Sequence, residues 1–169
     1  GLHERQYTAY HGYFPYDLTA TESRYGTLQD LRALVSAAHA RGIRVLVDLP
    51  VNHLFETAPE WSEHGWSWFN DDGVCRELGW TTPETCWFEP YLPDLNYRND
   101  AVVEYMYEAA LRWAIDGDLD GFRVDAVKHM HPHFLHTLRA KLDARLEAQS
   151  DQRFWTVGET FTGSWQTGG

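Results

Sequence analysis

Three features of the sequence predict an α/β fold, built of consecutive β/α units around a parallel sheet. Runs at 43–51, 121–127 and 154–158 read as strands, the first two with the near-continuous apolar character of strands covered on both faces. Stretches with a 3.6-residue apolar period lie before and between them. The order is helix, strand, irregular segment, helix, strand, helix, strand, which is the order of parallel β/α units.

Along the chain, an irregular aromatic opening gives way to an amphipathic helix over residues 27–40. Thr27 and Asp30 are spaced as a capping box, and Leu28, Leu31, Leu34, Val35 and Ala38 form its apolar face. Gly42 stops it, and the strand at 43–51 ends in the polar pair Asn52-His53. Residues 54–91 follow neither period and are rich in Gly, Pro and Trp, the mark of an insertion at the end of that strand. Asn99 or Asp100 caps a second helix running to about residue 115, with Val103, Met106, Ala110, Leu111 and Ala114 inward. Gly117 and Gly121 bracket the turn into the strand at 121–127. Pro132 then suits the first turn of a third helix with a stripe of Leu135, Leu138, Leu142 and Leu146.

Composition narrows the function classes. The chain has 169 residues and is 43% hydrophobic, enough for a core, and its net charge is −11 with only 14 Lys and Arg. A phosphate polymer needs a basic stripe, so a nucleic-acid partner is excluded. No apolar run approaches the ~20 residues of a membrane span, so no membrane partner is expected. Aromatic residues make up 15% of the chain, including eight Trp, which suits either a Trp-rich core or a cleft where rings stack on sugars. The two cysteines, Cys75 and Cys86, either close a short disulfide loop, which implies an oxidising compartment, or stay as free thiols. The sequence opens Gly1-Leu2-His3 without Met or a signal peptide, so an export signal would lie outside it.

Each predicted strand carries a carboxylate at or near its C-terminal end: Asp48, Asp125 and Glu159. Parallel strands share that end, where β/α barrels build their active sites. Arg123 and Asp125 are two apart and so face the same way, opposite Phe122, Val124 and Ala126. A guanidinium beside Asp125 favours its ionised form, as a nucleophile needs, although the same pair also reads as a buried structural ion pair. Glu159 follows an apolar strand, where a partly dry site would favour the protonated acid of a proton donor. One ionised and one protonated carboxyl, ~5 Å apart, are the requirement for glycoside hydrolysis with retention.

Several short blocks, in order across nearly the whole chain, resemble the α-amylase family. They are Asp48-Leu49-Pro50-Val51-Asn52-His53, Leu92-Pro93-Asp94-Leu95-Asn96, Gly121-Phe122-Arg123-Val124-Asp125-Ala126-Val127-Lys128-His129 and Val157-Gly158-Glu159, with Tyr10-His11-Gly12-Tyr13 upstream. The resemblance implies a partial (β/α)8 TIM barrel, strands 3 to 5 plus the loop of unit 2, with a small irregular domain inserted after strand 3. On that division residues 1–53 and 92–169 are barrel segments and 54–91 the inserted domain. It implies Asp125 as nucleophile and Glu159 as general acid/base. His11, Tyr13, Asp48, His53, Arg123, Lys128 and His129 would then contact substrate or nucleophile, with the Tyr13 ring stacked on the sugar at the scissile bond.

The resemblance further implies Ca²⁺, with ligands mapping to Asn52, Asp94 and the carbonyl of His129, three of the ~6 to 8 oxygens such an ion takes. Ala126 and the Lys128-His129 pair resemble enzymes cutting α-1,4 links in starch-like glucans and maltooligosaccharides, while the block at Leu92 to Asn96 lies between the amylase form and that of α-1,6 oligosaccharide glucosidases. Phe14 stands where many amylases have Trp, and Pro50 where an aliphatic residue is commoner. A third catalytic Asp, in an Asn-His-Asp block, is expected several dozen residues beyond Glu159. The chain therefore reads as a central segment, inactive alone, of a monomeric, secreted or periplasmic enzyme. The alternatives are a non-catalytic carbohydrate-binding relative, an α-glucan transferase or an α-1,6-glucosidase.

Overall fold

The structure, a computed structural model, describes residues 10–146 and 153–160. The segments 1–53 and 92–169 read from the sequence therefore include residues, 1–9, 147–152 and 161–169, that lie outside the described ones. Helix α1 (Leu28–His39) starts on the expected capping box: the Thr27 hydroxyl accepts from the Asp30 amide at 3.3 Å and the Asp30 carboxylate accepts from the Thr27 amide at 2.8 Å. It leads into strand β1 (Leu46–Leu49). A short helix α2 (Pro59–His64) and a 3-10 turn (Gly65–Ser67) then lie in the irregular segment before α3 (Asp100–Asp116). Of the two expected caps for α3, Asn99 is used, its side chain accepting from the Ala101 amide at 2.9 Å. Strand β2 (Gly121–Val124), helix α4 (Pro132–Leu146) and strand β3 (Trp155–Gly158) complete the order.

The three strands form one parallel sheet in the order β1-β2-β3. Leu46 pairs with Gly121 and Gly121 with Trp155, so Asp48, Arg123 and Val157 lie in one row across it. One face is dry: Phe122 and Val124 are buried against a cluster that includes Val35 of α1, Met106 and Ala110 of α3, and Phe134, Leu138 and Leu142 of α4. The cluster continues through Val51, Leu54, Phe69 and Leu95 into the irregular segment, so that segment shares the core of the sheet.

Four expectations are corrected here. The strands are shorter than the apolar runs, and β2 stops at Val124 because Ala126 turns into the left-handed region at φ 51°. β1 is not covered on both faces: Leu46, on the face that carries Asp48 and Arg123, is 41% exposed, and Trp155 and Val157 of β3 on the same face are 53% and 51% exposed. Leu34 sits at the rim of the α1 stripe, exposed beside the open edge of β1, while Val35 takes the buried place. On α4 the buried row is Phe134, Leu138 and Leu142, with Leu135 and Leu146 only half-buried. The ring of Phe134 stacks on Tyr97 at 4.0 Å, a contact from outside its helix.

Cys75 and Cys86 are both fully buried and joined as a disulfide, so of the two readings of the cysteines the paired one holds. The bond closes a loop whose two sides pair through Val74 and Trp87. Gly121 shows how tightly the sheet is built, since a Cβ there would stand 2.2 Å from the Trp155 carbonyl oxygen. Gly121→Ala is expected to lower stability by about 1–3 kcal/mol, the usual cost of forcing atoms into a packed site, measured by chemical denaturation of the protein that contains this chain.

Candidate active site

The hydrogen-bond ladder carries the ends of β2 and β3 one residue past the strands. The Asp125 amide donates to the Leu49 carbonyl at 3.2 Å, and the Glu159 amide donates to the Val124 carbonyl at 2.9 Å. Asp48, Asp125 and Glu159 thereby arrive at one edge of the sheet, as parallel strands require. The left-handed turn at Ala126 presents its amide to the Glu159 carboxylate at 3.4 Å, and the Val127 amide donates to the Glu159 carbonyl at 3.1 Å.

Arg123 is the centre of this cluster. Its Nη1 donates to the two carboxylate oxygens of Asp48 at 2.9 and 3.0 Å, to Asp125 Oδ1 at 2.6 Å and to the Tyr13 hydroxyl at 3.2 Å. Its Nη2 meets Glu159 Oε1 at 2.9 Å. The Tyr13 hydroxyl in turn donates to Asp48 Oδ2 at 2.5 Å. That bond, with burial and the Asp48 charge, raises the Tyr13 pKa, and the bonds Arg123 donates to Asp48 raise its own, so that it stays a cation.

One guanidinium thus faces three carboxylates. Burial pushes Asp125 up to about 6; the hydrogen bond and charge of Arg123 pull it down, and the neighbouring Glu159 and Asp48 push it up again. From the sequence, Arg123 holds Asp125 ionised and Glu159 lies in a partly dry site. In the structure the drier acid is Asp125: its side chain is 13% exposed and that of Glu159 40%. Arg123 does not win outright because its hydrogen bonds are divided among Asp48, Asp125 and Glu159.

A cavity of about 310 Å³ opens over these groups, walled by Tyr13, Phe14, His53, Phe88 and Leu92 and floored by Arg123, Asp125 and Glu159. His53 is buried, and burial pushes its pKa down to about 4, so it is neutral. Its Nε2–H donates to the Tyr13 carbonyl at 3.0 Å, leaving Nδ1 to accept from the Asn52 amide at 3.4 Å, so both ring nitrogens are engaged within the chain. His11 lies outside the cavity wall; its Nδ1 accepts from the Tyr13 amide at 3.0 Å and its ring stacks on Tyr13. Lys128 is exposed. His129 packs its ring edge-on to Phe88 at 4.7 Å, and its Nδ1–H donates to the Pro83 carbonyl at 2.9 Å.

Of the expected metal ligands, Asn52 and Asp94 come together. The Asn52 amide donates to Asp94 Oδ1 at 3.0 Å, and Asn70, which the sequence reading missed, donates to Asp94 Oδ2 at 2.8 Å. Asp94 is 1% exposed, and burial pushes its pKa well above the ordinary value despite these amides. Asn52 Oδ1 is buried without a hydrogen-bond partner. Among the described residues no three His, Cys, Asp or Glu side chains are grouped to hold a metal. The donors present, an orphaned amide oxygen beside a buried carboxylate, are nevertheless the hard oxygens that suit Ca²⁺. Phe88 and Leu92 were also missed as cavity walls, because the segment that carries them has no periodicity to orient its side chains.

The family profile described as alpha amylase, catalytic domain, matches residues 4–162. The chain belongs to the alpha-amylase family. Within that family, a cyclomaltodextrin glucanotransferase of Bacillus sp. (strain 1-1) is 33% identical over 96% of this chain and 25% of its own length. An alpha-amylase of Niallia circulans is 36% identical over 73% of this chain and 26% of its own length. This alpha-amylase-family chain therefore spans about a quarter of the curated relatives it matches. Among solved structures, the alpha-amylase from Geobacillus thermoleovorans, complexed with acarbose, superposes with a TM-score of 0.80 at 29% identity, over 92% of this chain and 34% of the other. The type III pullulan hydrolase from Thermococcus kodakarensis superposes with a TM-score of 0.70 at 30% identity, over 89% and 27%. The three-stranded parallel sheet is accordingly part of the (β/α)8 barrel of the family's catalytic domain.

Arg123→Met removes the cation that opposes burial at Asp125. The Asp125 pKa is expected to rise above about 6, measured by carboxyl-carbon NMR titration; an unchanged value would show that Arg123 does not tune it.

Proposed function

We propose that the protein containing this chain hydrolyses α-1,4-glucosidic bonds in starch-like glucans and maltooligosaccharides with retention of configuration, Asp125 acting as nucleophile and Glu159 as general acid/base. The observation that carries the reading is the convergence of these two carboxyls on the two terminal nitrogens of Arg123, at the floor of a cavity walled by Tyr13 and Phe88. Retention needs the two carboxyls ~5 Å apart, close enough for one to attack while the other donates.

In the first step Asp125 attacks the anomeric carbon as the glycosidic bond breaks, and Glu159 gives its proton to the leaving oxygen. In the second, Glu159, now a carboxylate, takes a proton from the water that attacks the same carbon, and the bond to Asp125 breaks. Asp48 and Arg123 orient the nucleophile, and Tyr13, held by its hydrogen bond to Asp48, offers its ring to the sugar. His53, neutral and fixed, supports the Tyr13 loop, while His11, Lys128 and His129 border the substrate. The segment 54–91 is read as the small inserted domain that walls one side of the cleft.

Calcium belongs to this reading, with Asn52 Oδ1, Asp94 and the His129 carbonyl as ligands. Bound there, the ion would supply fixed positive charge that secures the inserted segment to the barrel. The Cys75–Cys86 disulfide supports an oxidising, secreted or periplasmic setting. A second reading is favoured by the cyclomaltodextrin glucanotransferases among the relatives: the same residues would carry glucan transfer if a sugar hydroxyl, not water, intercepts the intermediate.

Glu159→Gln in the full-length protein is expected to lower kcat on soluble starch by about 10²–10⁴. Undiminished turnover would end the assignment, and product analysis by chromatography separates hydrolysis from cyclic or transferred glucans. Because Asp125 must be ionised to attack, kcat/KM is expected to fall as pH drops through about 6. Asp48→Asn removes a negative charge that raises Asp125 and frees Arg123 for it, so the acid limb should move to lower pH. Chelation of calcium is expected to lower the Tm of the wild-type protein, and Asp94→Ala to abolish that difference, both read by differential scanning calorimetry.

A further inference from the structure

We propose that Val127 and Gly158 form a spacer that sets the separation of Asp125 and Glu159, a positioning role that rests on the retaining reading above. Glu159 is tied to β2 and to the turn after it through three groups. Its amide donates to the Val124 carbonyl at 2.9 Å, its carbonyl accepts from the Val127 amide at 3.1 Å, and its carboxylate accepts from the Ala126 amide at 3.4 Å. Asp125 lies between those partners in the chain, so whatever fixes the turn against β3 also fixes the distance between the two carboxyls. The left-handed Ala126, at φ 51°, folds the chain back and brings Val127 over Gly158.

Contact between these two residues limits how closely the turn approaches. A Cβ built on Gly158 would lie 2.8 Å from Val127 Cγ2, 3.5 Å from its Cβ and 3.6 Å from its Cγ1, so the three nearest atoms all belong to that one side chain. Gly158 is not among the glycines of positive φ, so its missing side chain serves as space and not as conformational freedom. Val127 is β-branched and stiff at χ1, and its methyl group does not swing aside cheaply. Carbon atoms settle at ~3.5–4.0 Å, so one methyl group on residue 158 would push the turn away from β3 by roughly 1 Å. Reacting groups tolerate little of that, since a misplacement of ~1 Å costs about 10² in rate.

The test uses the full-length protein, with kcat and KM on maltohexaose measured for Gly158→Ala, Val127→Ala and the double variant, and kcat referred to the folded fraction read by circular dichroism. Gly158→Ala is expected to lower kcat about 10²-fold with KM within about threefold, and Val127→Ala, which removes the stop, to lower kcat about tenfold. In the double variant the Cβ at 158 meets the Cβ at 127 at an ordinary 3.5 Å, so its kcat should exceed that of either single variant. Adding Gly158→Ala thus harms the wild type and helps Val127→Ala, whereas losses from two unconnected sites multiply. The comparison of the double variant with Val127→Ala decides the matter even where Gly158→Ala fails to fold. Wild-type kcat in Gly158→Ala, or a double variant no faster than Val127→Ala, overturns the spacer. The catalytic assignment is scored separately, by Glu159→Gln. Undiminished turnover there sinks the assignment, and with it the spacer; lost turnover there with multiplying losses at 127 and 158 sinks the spacer alone.

Discussion

The guanidinium of Arg123 is the constraint on which the site depends. It is the point where the ends of three strands meet: Asp48 from β1, Asp125 following its own strand β2, and Glu159 following β3. Three carboxylates gathered at one edge of the sheet repel one another, and without a cation their convergence would be unfavourable. Arg123 supplies two terminal nitrogens in a rigid fork, so one side chain serves acids on all three strands and the Tyr13 hydroxyl as well. Dividing one charge among three acids leaves Asp125, pushed up by burial and by the neighbouring Glu159 and Asp48, at about 6 despite Arg123.

Below that cluster the sheet is held by a comparable arrangement at its other end. Asp120, just before β2, accepts from the Val45 amide and from His39 Nε2, each at 2.7 Å, and meets Arg44 at 2.7 Å. Burial alone would push Asp120 up, but these donors outweigh it and its pKa lies below the ordinary value. Stability from this group is therefore present above the unfolded carboxylate range and is lost as pH falls through the lowered value. The C-terminal end of α1 is thereby clamped to the starts of β1 and β2, so the strand ends above inherit a defined register.

The irregular segment between β1 and α3 is organised by polar groups as much as by apolar ones. Residues 52–54 and 93–95 pair across the site, and Asp94, buried between the amides of Asn52 and Asn70, fixes where the segment leaves and rejoins the barrel. The disulfide closes the outer loop, where Trp80 is exposed, and Trp87 anchors its base by donating to the Asn70 carbonyl at 2.6 Å. One wall of the cavity is thus carried by a segment with little regular structure, held by buried hydrogen bonds and a covalent link.

The sequence by itself determined the order of the three strands and the helices α1, α3 and α4, the parallel sheet, the cap at Thr27 and the three acids at strand ends, and narrowed the α3 cap to Asn99 or Asp100. All of these are local or periodic properties: a helix stripe, a β-branched run and a capping spacing are written in neighbouring residues. The tertiary structure alone decided which acid is drier, how Arg123 divides its hydrogen bonds and where β2 ends, since the left-handed Ala126 has no local signature. It also decided that Phe134 joins the buried row of α4 through Tyr97, and that Asn70 meets Asp94 and Phe88 walls the cavity from a segment without period. Burial and electrostatics depend on what packs from distant parts of the chain, and no window of neighbouring residues contains that information.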